Sequence, residues 1–116
     1  MATVEFSKTG ITMQLAATTR VEINRYAGNT FDGRLVACLD DDNLVYAVIA
    51  VPDYPRNDPL EVVVMAQVVD EKILIVEDRT DKPLYEALMV NAKIPRAQII
   101  LEYAGEQLPE QTKGNE

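Results

Sequence analysis

Pro52-Asp53 and Asp70-Glu71-Lys72 come nearest in this chain to a catalytic pattern. Together they match the loose arrangement of metal-dependent nucleases, in which two acidic groups hold Mg²⁺ while a lysine assists water activation or stabilises charge. That chemistry needs the acidic groups to converge from neighbouring strand ends. Asp53, however, sits among Pro52, Pro55 and Pro59, the composition of an exposed loop, and Asp70-Glu71 separates two apolar runs as a hairpin turn would. A nuclease using Asp53, Asp70 and Lys72 is therefore the alternative reading and not the leading one.

The run Asp40-Asp41-Asp42 invites a second metal reading. Calcium loops need alternating oxygen ligands, a glycine for the turn and a distal glutamate, which this spacing does not supply. With Asn43 it reads as a solvated turn. The chain has no histidine, so Ser/His and Cys/His nucleophile arrangements cannot be built. Cys38, the single cysteine, lies between apolar neighbours in LVACLD and is expected to be a small core residue. Its isolation excludes an internal disulfide framework and fits a reducing cytoplasm. The five glycines form no phosphate-cradling loop. No catalytic residue, metal or cofactor is expected. Tyr54 and Arg56 in the proline loop, and Tyr103 beside Gly105, are the candidate partner contacts, because Tyr and Arg recur at binding hot spots.

Eleven basic residues face nineteen acidic ones, a net charge of −8. Phosphate neutralisation supplies most non-specific nucleic-acid affinity, so no direct contact with nucleic acid is expected. No apolar run approaches the roughly 20 residues of a membrane-spanning helix, and no secretory leader pattern is visible.

The elements that would position these residues follow from periodicity. Val4 and Phe6 suggest a short edge strand or arm. Residues 12–27 read as a helix with Met13, Ala16, Ala17, Val21, Asn24 and Tyr26 on one face, stopped by Gly28-Asn29. From Phe31 to Asp40 the alternation of Phe31, Leu35, Ala37 and Leu39 predicts a half-buried strand. Leu44–Val51 is a nearly continuous apolar run, the pattern of a well-buried strand. Leu60–Val69 and Lys72–Glu77 are the next two strands. Asp78–Asp81 offers capping side chains and Pro83 suits a helix's first turn. Leu84, Ala87 and Leu88 then share a face until Pro95 stops the helix. Ala97–Tyr103 is the last strand. The expectation is one small α+β domain over residues 1–106, with about five mainly antiparallel strands and two helices, and a disordered acidic tail over 107–116.

The segment VVMAQVVDEKILIVEDRTDKPLYEALMVNAKIPRAQIILEYAGE resembles the C-terminal two-thirds of XisI-like proteins, the fdxN element excision controlling factors. The shared features are the strand pair joined at Asp70–Lys72, the acidic/Thr cap at Asp78–Asp81, the Ala92-Lys93-Ile94-Pro95 turn and the strand at Gln98–Leu101. Departures are the absence of glycine after Asp70, Lys93 in place of a helix-ending glycine, and the lack of a tryptophan in Ile73-Leu74-Ile75. The resemblance implies a non-enzymatic accessory protein, a protein-binding regulator in programmed excision of a DNA element. It implies an XisH-like, nuclease-like partner. Self-association through sheet edges or an apolar face is also expected.

Overall fold

Two apolar runs separated by a polar pair that can turn sharply make a hairpin. Glu61–Val69 and Lys72–Asp78 pair antiparallel with Val69 opposite Lys72, so Asp70-Glu71 alone closes the turn. Asp70 takes a positive φ of 55°, a conformation that aspartate tolerates better than most residues. A computed structural model of the chain describes residues 10–108, and the predicted arm at Val4 and Phe6 lies outside them.

In chain order the elements are α1 (Gly10–Asn24), β1 (Gly28–Thr30), β2 (Gly33–Asp40), β3 (Val45–Pro52), β4 (Glu61–Val69), β5 (Lys72–Asp78), α2 (Leu84–Ala92) and β6 (Ile99–Leu101). The strands form one six-stranded sheet in the order β1-β2-β3-β4-β5-β6. Every pairing is antiparallel except β5 with β6, which is parallel. α2 is the crossover between those two strands, as a parallel connection requires. The α+β class is as expected. The sheet has one strand more than the sequence suggested: β1 is only three residues long, too short for alternation to register. The final strand is also shorter than the predicted 97–103, because Glu102–Ala104 turns into a single 3₁₀ turn.

Both helices lie on one face of the sheet. Leu15, Ala16 and Ile23 of α1 and Leu84 and Leu88 of α2 share a core with Tyr46, Val48, Val64, Ala66, Ile73 and Ile75. The buried stripe of α1 is Thr12, Leu15, Ala16, Thr19, Glu22 and Ile23, the spacing of a single helical face. This corrects the expected face: Met13 and Val21 are exposed. Polar side chains occupy the buried stripe because each finds a partner. Thr19 donates to the Leu15 carbonyl at 2.7 Å and Thr12 to the Asp70 carbonyl. Glu22 accepts from Asn91 Nδ2 at 3.2 Å and pairs with Arg25 at 3.3 Å. Buried polar groups that are hydrogen-bonded carry little penalty.

Asp78 performs the predicted capping at a distance. Its Oδ2 accepts the Leu84 N–H at 2.7 Å, and its Oδ1 accepts the Thr80 N–H at 2.9 Å and hydroxyl at 2.6 Å. At the other end of α2, Lys93 is left-handed, with φ 61° and ψ 30°.

The face away from the helices is also largely apolar. Strand register aligns Val36 with Ile49 and Val62 in one row, and Cys38 with Ala47 and Met65 in the next. A third row runs Val45, Gln67, Leu74 and Ile100. Cys38 is therefore exposed on this open face and is not the core residue its neighbours suggested. Both phases of the β2 alternation are apolar, and only the packing decides which one the helices cover. Leu108, assigned by sequence to the tail, is buried against Leu74 and Ile100.

Candidate interaction surface

The sheet has two ends, and its hairpin topology decides which candidate residues can meet. Asp53 follows β3 and lies beyond the start of β4, whereas Asp70 and Lys72 flank the turn at the far end of β4. Nine residues of β4 at about 3.3 Å each put these groups roughly 30 Å apart. The arrangement that a nuclease using Asp53, Asp70 and Lys72 requires is not assembled. Lys72 Nζ instead donates to the Ala97 carbonyl at 3.1 Å. Among the described residues no group of three His, Cys, Asp or Glu side chains is placed to hold a metal ion.

The aspartate run is a turn that ties elements together. Asp40 Oδ1 accepts the N–H groups of Asp42 and Asn43, each at 3.1 Å, and its Oδ2 accepts Asn43 Nδ2 at 2.8 Å. Asp41 accepts Arg20 Nη1 and the Tyr46 hydroxyl, each at 2.9 Å. Tyr46 is fully buried. Burial first, and then its bond to Asp41, push its phenol far above the ordinary tyrosine value.

Exposed aromatic surface gathers at the Asp53 end. The β1–β2 turn and the β3–β4 loop lie side by side, joined by the Asp53 N–H donating to the Asp32 carbonyl at 3.0 Å. Gly33 allows this approach: a Cβ there would lie 2.3 Å from the Val51 carbonyl oxygen and 3.0 Å from the Pro52 Cα. The two loops present Phe31 (104% exposed), Tyr54 (91%) and half-exposed Leu60, with Arg56 exposed among them. Tyr54-Pro55 is a cis peptide. Beside the loops is a cleft of about 310 Å³ lined by Thr30, Asp32, Arg34, Asp58 and Glu61 among others.

Tyr54 and Arg56 thus share one tip. Tyr103 faces the same end of the sheet but follows β6, two to three strand spacings away, or about 10–14 Å. Its phenol is raised by burial, then by the nearby Asp78 charge. Phe31 at the tip departs from the sequence expectation: the alternation makes it the first inward residue of a strand, but the Asp32-Gly33 turn directly after it turns it outward.

A crystal structure of a XisI-like protein from Anabaena variabilis matches this chain with a TM-score of 0.68 at 22% identity, covering 86% of this chain and 91% of that one. The chain has the XisI-like fold. The crystal structure of the fdxN element excision controlling factor XisI from the same organism matches at TM-score 0.65 and 20% identity, covering 80% and 86% of the two chains. No protein-family model and no curated protein matches in sequence. In this XisI-like fold the features that carried the sequence resemblance fall on the β4–β5 turn, the Asp78 cap and the α2–β6 connection. No helix among the described residues is long and apolar enough to cross a membrane.

Proposed function

We propose that the protein is a non-catalytic accessory factor that acts by protein–protein contact on a DNA-processing partner in the excision of a DNA element. The observation that carries this reading is the fold shared with the fdxN element excision controlling factor XisI over 80% of this chain. The partner expected from the sequence resemblance is an XisH-like, nuclease-like protein. The net charge of −8 favours a protein partner over nucleic acid, since a surface poor in cations neutralises few phosphates.

The tip formed by Phe31, Tyr54, Leu60 and Arg56 is the contact surface in this reading. Large aromatics standing free in water, with an arginine among them, have the composition of a binding hot spot. Tyr103, about 10–14 Å away at the same end of the sheet, is an outlying contact within the reach of an ordinary interface of about 800 Å² per partner.

The test is co-purification of the tagged full chain from its native cells, with the copurifying chains identified by mass spectrometry. A nuclease-like protein recovered in fixed stoichiometry, and lost with Phe31→Ala and Tyr54→Ala, is the expected result. Recovery of no partner under gentle, low-salt conditions would remove the accessory reading. Recovery that both tip substitutions leave unchanged would move the contact elsewhere.

A further inference from the structure

The open face of the sheet departs from what a solvated antiparallel sheet looks like. Strands with one face in water alternate apolar-in and polar-out. On β2, β3 and β4 the outward positions here are Val36, Cys38, Ile49 and Met65 in the two central rows, a pattern that belongs to a sheet covered on both sides. Both helices are on the other side. Among the described residues, Leu108 covers the β5–β6 margin, where it is buried with Leu74 and Ile100 and where Val69 and Val76 pack against them; β2, β3 and the rest of β4 lie outside that cluster.

We infer that this open face is where a second copy of the chain packs, sheet against sheet, in a two-fold dimer. The area is sufficient. The four central strands at about 4.8 Å spacing and eight residues of about 3.3 Å each give a plan area of roughly 500 Å². Two copies together then bury about 1,000 Å², the lower bound for a specific interface. The charge also fits a second copy. The chain carries −8 overall, but the charged residues in register on this face are balanced, Arg34 and Lys72 against Asp40 and Glu77. A like-charged copy therefore meets no net repulsion there. Arg34 and Asp40 stand near opposite ends of β2. A two-fold axis lying between the sheets and across the strands sets each copy's Arg34 end against the other's Asp40 end. The layers would lie about 10 Å apart, as in aligned sheet packing.

The dimer is independent of the accessory reading, because the tip and the open face share none of their central residues. Sedimentation of the full chain across a wide concentration range tests it, together with maleimide labelling of Cys38. The expected mass is twice the 12.9 kDa of the chain, with Cys38 labelling slowed in proportion to the fraction dimerised. Ile49→Glu and Val36→Lys each place a charge in the centre of the face. Val36 is already at the surface, so its replacement leaves the fold intact, as circular dichroism checks. Each variant should halve the sedimenting mass and release Cys38 to labelling, whereas Tyr54→Ala should change neither. A monomeric wild type whose Cys38 labels freely would overturn the dimer and leave the face to a different protein. A monomer whose Cys38 resists labelling would assign the face to the chain's own terminal residues and also overturn it. A dimer whose mass persists in the folded Val36→Lys variant would place self-association elsewhere.

Discussion

Replacing Asp78 with alanine should unfasten α2 from the sheet. The carboxylate spans the junction: one oxygen holds the Leu84 N–H at 2.7 Å, the other the Thr80 N–H at 2.9 Å. Leu84 is fully buried, so water does not readily replace the lost acceptor. A buried amide left without a partner costs about 1–3 kcal/mol. Loss of a negative charge from the first turn of a helix costs about 0.3–1 kcal/mol more. The Thr80 hydroxyl adds little, because it keeps the Lys82 carbonyl at 2.8 Å. The total is about 1.3–4 kcal/mol, or roughly 5–20 °C in Tm for a domain of this size. A helix of only nine residues has little stability apart from its packing, so the loss should reach Leu84 and Leu88 together. Urea unfolding followed by circular dichroism should show a lower midpoint at unchanged slope. Asp78→Asn keeps one acceptor oxygen and should cost about half as much. An alanine variant within about 0.5 kcal/mol of the parent, the range of ordinary surface changes, would refute the capping argument.

Tyr46→Phe removes a buried hydroxyl and leaves Asp41 with Arg20; it should cost about 1 kcal/mol in the same urea assay. Lys93→Gly relieves a left-handed backbone and should stabilise by about 0.5–1 kcal/mol, read as a higher Tm. Gly33→Ala puts a methyl group against the Val51 carbonyl oxygen. It should cost about 1–3 kcal/mol and shift the NMR signals of both tip loops. Glu106 has its pKa lowered by the Leu101 N–H, then by Arg96. Its contribution is therefore present above the unfolded carboxylate value of 4.5 and is lost as pH falls through the lower folded value. Hydrogen exchange of the Leu101 amide, corrected for the intrinsic pH dependence, should lose protection below pH 4.5, and Glu106→Ala, which removes the acceptor, should lose it at neutral pH.

The parts of the fold legible in the sequence are those where local chemistry and global packing agree. The β4–β5 hairpin, the Asp78 cap and the stop before Pro95 each rest on a few adjacent residues whose preferences the structure satisfies. What was not legible depended on partners far along the chain. The buried stripe of α1 includes Thr12, Thr19 and Glu22, and hydropathy alone ranks Met13 and Val21 above them. Glu22 is tolerable inside only because Asn91 and Arg25 meet it. The expectation that Cys38 is a core residue fails because Leu35, Ala37 and Leu39, on the opposite phase of the same strand, take the helix-facing positions and leave Cys38 on the open face. The tip was half visible: Tyr54 and Arg56 stood out by type, but their nearness to Phe31 comes from the β2–β3 register. That same topology places Asp53 and Asp70 at opposite ends of one strand.

The sheet follows the chain from β1 to β6, with no strand inserted between two made earlier, and this grades its resistance to opening. β3 and β4 each have a long partner on both sides. β1 holds only the first three residues of β2, and can fray without disturbing any other ladder. Amide exchange should therefore be slowest in the middle of the sheet and fastest at this margin. Phe31 sits on that boundary, so a protein that grips it takes hold of the segment with the smallest opening free energy. Part of the binding free energy would go into stilling β1, and the grip would reach the rigid centre only through Gly33 and the Asp53–Asp32 bond.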